Sequence, residues 1–163
     1  TQLYEGTNGI QALDLLRRKV LGDGATELGL LIDELVVQVD VAGSQASLRE
    51  MVEALQQRLT EWRELGTEVV EACQRDVQEI GAMSVDFLAY SAYVLVGGLW
   101  LQAAVRAQAA LDAGTDEPAF YRAKLQAADF YWRRVLPRAS GHRESLRGGA
   151  HCLMAMDEAD FAF

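Results

Sequence analysis

Apolar residues recur along this chain at steps of three and four, the spacing that lines one face of a helix, and no stretch alternates long enough to predict a strand. Ile10, Leu13, Leu16 and Val20 predict a first helix over 8–20, with Thr7 or Asn8 as its N-cap. Arg17, Arg18 and Lys19 complement the dipole at its C-terminal end, and Gly22-Asp23-Gly24 stops it. A second helix is expected over about 25–41, ending near Gly43. From Ser44 or Ser47 a longer seam follows: Leu48, Val52, Leu55, Leu59, Trp62, Leu65, Val69, Cys73, Val77 and Ile80. Ser84 then caps a helix over 85–111, and Asp116-Glu117-Pro118 opens another that runs to Leu136, where Pro137 breaks or kinks it. A last helical stretch spans about 139–156, interrupted at Gly148-Gly149, and the residues from Asp157 onward read as a frayed tail.

These segments predict an all-α fold, an antiparallel bundle of four to five long helices. Residues 87–105 contain no charged side chain, a length that also meets the threshold for a membrane span. Gln102, Ser91 and Gly97-Gly98 within it, and amphipathic helices on either side that need an apolar partner, favour the centre of a bundle.

Composition narrows the function. Half of the 163 residues are hydrophobic, about a quarter are charged (24%) and only two are proline, which is helix-forming globular material. A net charge of −9 would repel a phosphate backbone and excludes general nucleic-acid binding. Against that background Arg133, Arg134, Arg138, Arg143 and Arg147 cluster, either as a solvated helix face or as a dock for an acidic surface. Cys73 and Cys152 make no disulfide framework, and the chain reads as reduced, cytoplasmic protein without a signal peptide. His142 and His151 lack the spacing that puts two ligands on one helix face, so no metal site is expected.

The opening, Tyr4-Glu5-Gly6-Thr7-Asn8-Gly9-Ile10-Gln11, is the exception to a sequence that otherwise advertises packing. Read from its residues, it is a carboxylate just upstream of a helix start, flanked by glycines that let another molecule approach the backbone; an ordinary capping loop would look similar.

The string Thr-Gln-Leu-Tyr-Glu-Gly-Thr-Asn-Gly-Ile-Gln closely resembles the signature near the end of the catalytic domain of acyl-CoA dehydrogenases. The resemblance extends through Ala12-Leu13-Asp14. Phe130-Tyr131-Trp132, Leu136-Pro137 and Leu153-Met154-Ala155-Met156 resemble the extra helical C-terminal domain of the larger bacterial subfamily, which is 3-methylmercaptopropionyl-CoA dehydrogenase-like. It implies that the chain is a C-terminal piece: 1–24 would be the end of the catalytic domain and 25–163 a helical extension. Glu5 would be the base that removes the α-proton of an acyl thioester, while FAD takes the β-hydride. Gly6 would lie against the acyl-CoA, and Thr7, Asn8, Gly9 and Gln11 would contact FAD. An electron-accepting protein and a homo-oligomeric parent are further implications, and the piece alone would be inert. The alternative is a self-standing helical module for protein interaction or membrane docking.

Overall fold

The computed structural model describes residues 7–43 and 45–161, and every regular element among them is helical. Helix α1 (Asn8–Asp14) widens into a π-helical stretch, Leu15–Val20, where the Leu21 amide donates to the carbonyl of Leu16, five residues back. Helix α2 (Thr26–Ala42) follows a turn in which Ala25 takes a left-handed φ of 66°. Asp23 organises that turn: its carboxylate accepts from the Glu27 amide at 2.7 Å, and its carbonyl accepts from the Thr26 hydroxyl at 2.7 Å. A 3-10 turn (Ala46–Leu48) leads into α3 (Arg49–Arg75), whose start has no side-chain cap; Ser47 does not supply the expected one, and Ser44 lies outside the described residues.

The expected seam through Ile80 is interrupted. Asp76 is extended, with φ −143° and ψ 121°, and its carboxylate accepts from the Gln78 amide at 2.9 Å. That local bond competes with the helical ladder and ends α3 at Arg75. Val77 is consequently 72% exposed, and Ile80 belongs to the next helix. Helix α4 (Glu79–Asp112) thus starts earlier than expected, with Ser84 buried inside it and donating to the Gly81 carbonyl rather than capping.

Helix α5 (Pro118–Phe130) opens with proline at its first position, as anticipated. Pro137 has no amide to continue the ladder, and the chain around it passes through a π turn (Tyr131–Val135) and a 3-10 turn (Leu136–Arg138) into α6 (Ala139–Arg147). Gly148 and Gly149 end α6, as expected, before the short α7 (His151–Met154) and an exposed 3-10 turn (Glu158–Phe161).

Side-chain contacts give the topology. Arg63 pairs with Asp33 and Gly66 meets Leu28, so α2 and α3 run antiparallel. Tyr90 bonds Glu61, Trp62 bonds Ser91, and Gly97 meets Leu55, so α3 and α4 are antiparallel as well. Tyr131 reaches Tyr93, His142 reaches Asp86 and the Ala150 amide reaches Glu79, which makes the kinked α5–α6 rod antiparallel to α4. The result is an all-α antiparallel bundle of four long rods, with α1 laid against α4 and the start of α2.

Helix α4 is the centre, packing against all of α1, α2, α3, α5 and α6. It buries Phe87, Tyr90, Val94, Gly97, Gly98, Leu101 and Ala104. By length and composition alone α4 could cross a membrane, yet this buried face is the bundle core. It is not covered all round, because Val85, Val96 and Leu99 face outward. Helix α2 approaches through two notches: Leu28 sits over Gly66 of α3, and Leu35 over Gly98 of α4, where an added Cβ would lie 2.8 and 2.9 Å from the respective leucine methyls.

The end of α6 supplies a test of this packing. Gly149 has φ +65°, and a Cβ there would meet the Glu79 carboxylate oxygens at 3.0 and 3.2 Å, the same carboxylate that accepts from the Ala150 amide. Gly149→Ala should therefore lower stability by about 1–2 kcal/mol, read as a lower urea midpoint at unchanged m-value.

Candidate functional site

Of the residues singled out at the start of the chain, Glu5 and Gly6 lie outside the described residues. Thr7, Asn8, Gly9 and Gln11 are placed together on the first turn of α1, and all four are exposed. Thr7 occupies the N-cap position but makes no side-chain capping bond; its carbonyl accepts from the Gln11 amide at 2.9 Å. Its hydroxyl and the first-turn amides are left for a partner other than the helix. A Cβ built on Gly9 has nothing within 4 Å, so the backbone there can be approached closely. An acceptor-rich group such as a pyrophosphate or ribose suits that set of donors.

The other face of α1 is anchored. Ala12 and Leu16 are fully buried and Val20 is nearly so, whereas Ile10 is 66% and Leu13 41% exposed. The expected seam of Ile10, Leu13, Leu16 and Val20 is thus replaced by Ala12, Leu16 and Val20. Ala12, Leu16 and Val20 stand at i, i+4 and i+8, one face of a helix, and Ile10 and Leu13 fall outside it. Beside this anchor runs an apolar groove of about 430 Å³, walled by Leu15, Leu28, Leu31, Leu88 and Leu95.

A second cluster lies in the core, and sequence reasoning missed it. Glu61 of α3 is 8% exposed, and its carboxylate accepts from Arg58 at 2.6 Å, from Tyr90 at 2.9 Å and from Gln57 at 3.1 Å. Arg143, arriving from α6, pairs with it at 2.7 Å. Burial alone would raise this carboxyl; the hydrogen bonds from Arg58 and Tyr90 and the charges of Arg58 and Arg143 outweigh it and hold the group below its ordinary range. Burial, with the Glu61 charge next in weight, pushes the Tyr90 phenol up. A carboxylate so stabilised is a poor base, and the cluster is a structural clamp joining three helices. The signal in the sequence was a pair of opposite charges, Arg58 and Glu61, one turn apart beside the apolar seam.

The basic cluster finds its acidic surface within the chain. Arg133 pairs with Glu50 and Asp129, Arg143 with Glu61 and Glu144, and Arg147 forms a two-pronged bond to Glu68 at 2.7 and 2.9 Å. Arg134 and Arg138 take no part in these pairs. The His142 ring donates through Nδ1–H to the Asp86 carboxylate at 2.8 Å and stacks on Tyr93. Cys73 is partly buried, with its thiol pushed up by burial and then by Glu79, and Cys152 is exposed. Among the described residues no group of His, Cys, Asp and Glu could hold a metal.

The clamp has a pH signature. Because the folded pKa of Glu61 is lowered from 4.5, its stabilisation is complete above that value and is lost as pH falls through the folded value. Glu61→Gln should cost about 2 kcal/mol near neutrality, and the gap between variant and parent in urea unfolding should narrow as pH falls below 4.5 and Glu61 becomes protonated in the folded state.

Comparison with known proteins gives this architecture a family. The family model described as acetyl-CoA dehydrogenase C-terminal like matches residues 31–157. The broad-specificity linear acyl-CoA dehydrogenase FadE5 of Mycobacterium tuberculosis is 33% identical over 167 positions, covering 98% of this chain and 27% of that protein. The 3-methylmercaptopropionyl-CoA dehydrogenase of Ruegeria pomeroyi is 30% identical over 151 positions, covering 88% of this chain and 24% of that protein. The chain spans about a quarter of the length of these curated relatives. It belongs to the acyl-CoA dehydrogenase C-terminal family.

Proposed function

We propose that this member of the acyl-CoA dehydrogenase C-terminal family is the closing part of a flavin-dependent acyl-CoA dehydrogenase, with Glu5 as the catalytic base. The observation that carries the reading is the signature-like opening around Glu5, in a chain whose matching relatives are named as acyl-CoA dehydrogenases. The substrate is an acyl-CoA thioester, and FAD, when bound, accepts the hydride that leaves the β-carbon.

The chain's own residues contribute the proton step. Glu5 takes the α-proton of the thioester, for which its carboxylate must be desolvated so that its pKa rises toward neutrality. Gly6, with no side chain, lets the acyl-CoA lie against the backbone. Thr7, Asn8 and Gly9 offer a hydroxyl, an amide side chain and open backbone N–H groups to FAD, and Gln11 adds a second amide side chain on the same exposed turn. Residues 1–24 complete the catalytic domain, and residues 25–163 form the helical extension. The remainder of the acyl-CoA and flavin pocket is contributed by the rest of a longer polypeptide, so this chain alone is inert. The parent is a cytoplasmic homo-oligomer that passes its electrons to an acceptor protein.

In the full-length polypeptide, Glu5→Gln should abolish acyl-CoA dehydrogenation, by about 10²-fold or more, while leaving FAD bound. Turnover and flavin absorbance check this together, and turnover retained at the parent's rate overturns the role given to Glu5.

A further inference from the structure

We infer that residues 151–161 are a self-association segment, which docks on the outward face of the α5–α6 rod of a second copy of this chain. Four large apolar side chains, Leu153, Met154, Met156 and Phe161, stand within nine residues, each 56–65% exposed. Every residue from His151 to Phe161 is exposed, so the bundle does not cover them. Apolar groups gathered in this way mark a contact surface, unlike singly scattered ones. Asp157, Glu158 and Asp160 follow Met156, and the segment holds no lysine or arginine. From Leu153 to Asp160 the tail is apolar first and acidic second.

The rod carries a surface of matching order. Phe120, Ala123, Ala127, Phe130, Arg134 and Arg138 are spaced by three or four residues, which sets them along one face. Phe120 is 52% and Phe130 61% exposed, with the small alanines between them, and both arginines are exposed. Arg133, Arg143 and Arg147 are paired within the chain, whereas Arg134 and Arg138 have no acidic partner among the described residues. In the same N-to-C direction, this face is apolar first and basic second. The lengths agree as well: from Phe130 to Arg138 the rod rises about 12 Å, and from Met154 to Glu158 the tail spans at most about 14 Å.

Chain direction identifies the occupant. The tail leaves the C-terminal end of its own rod, so folded back on that rod it would run antiparallel to it. Met154 would then meet the arginines, and the acids would meet the phenylalanines. A second rod lying antiparallel beside the first brings its Phe120 end to the root of the tail. The returning tail runs parallel to that second rod, with apolar side chains against Phe120 and Phe130 and acids against Arg134 and Arg138. The relation is reciprocal, so one two-fold axis seats both tails. A standard interface uses roughly 20–30 residues a side, more than one tail supplies, and the exchange adds a rod face to a tail on each side. Two copies each carrying −9 repel at a distance, and unlike charges at the contact offset that repulsion. Nothing in this contact depends on the role of Glu5.

Sedimentation equilibrium of the chain in the micromolar range tests the contact. The parent should sediment at twice its 17.9 kDa mass, and the dimer should weaken as salt rises. Arg134→Glu with Arg138→Glu should weaken dimerisation by about tenfold or more, as should Asp157→Lys with Glu158→Lys. All four substitutions in one chain should restore it, a rescue that general destabilisation cannot produce. Removal of residues 151–163 should give a monomer with an unchanged urea midpoint, because no described residue of that segment is buried. A monomeric parent overturns the inference, and so does a dimer that survives both charge reversals and removal of the tail. A monomeric parent that pellets with phosphatidylcholine vesicles through its tail also overturns it, and assigns the apolar side chains to a membrane. Turnover of Glu5→Gln is read separately, so failure here leaves that assignment where it stood.

Discussion

Every rod of this bundle depends on one helix that carries no charge through its middle. Residues 87–105 of α4 can pack against α1, α2, α3 and the α5–α6 rod because there is no ionised group to desolvate along the way. The polar atoms it does bury are paired locally: the Ser91 hydroxyl donates to the Phe87 carbonyl and receives the Trp62 indole N–H. Tyr90 is satisfied by Glu61 and by the carbonyl of Arg58. Burial of this helix therefore costs little in unpaired groups, and the glycine notch at residue 98 lets α2 come close enough to close the core.

Electrostatics then fixes how the outer rods lie. Helix α3 offers Glu50, Glu61 and Glu68 along its length, and the α5–α6 rod answers with Arg133, Arg143 and Arg147 in the same order. The exposed pairs at either end are worth little individually. The central one differs, because Glu61 is buried and draws on two arginines and a tyrosine. A shift of the α5–α6 rod along α3 would leave that carboxylate underpaired in the core, so register is enforced from the middle rather than from the ends.

Much of this was legible in the sequence, and what was not has physical causes. The helical periods, the stop at Gly22-Asp23-Gly24, the kink at Pro137 and the break at Gly148-Gly149 all arise from local backbone chemistry, which a single sequence displays. The break at Asp76 was hidden because Val77 and Ile80 keep the period of the preceding seam while an Asx-type bond turns the backbone. The start of α4 was masked in the same way, since Ser84 looks like a cap in a chain that had already turned. Tyr90 and Arg143, which join Arg58 around Glu61, and the acidic partners that Arg133, Arg143 and Arg147 find on α3 come from helices distant in sequence, and no local pattern announces them. At the motif, the residues that gather on one exposed turn were nameable from their string alone. Their anchor was misjudged only in its first half: Ile10 and Leu13 fit a helical period with Leu16 and Val20 as well as Ala12 does, and the small Ala12 carries little hydrophobic signal of its own.

The spacing of Ala12, Leu16 and Val20 also decides which face of the first helix is turned to solvent. In a regular α-helix each residue advances the azimuth by about 100°. Ala12, Leu16 and Val20 stand four residues apart, so successive ones lie about 40° apart in azimuth and share the buried face, while Thr7, Asn8, Gly9 and Gln11 are exposed. A residue gained or lost between Gln11 and Leu16 would turn the exposed motif residues by about 100° about the helix axis relative to Leu16 and Val20, so the spacing between motif and seat sets which way Thr7, Asn8 and Gly9 face.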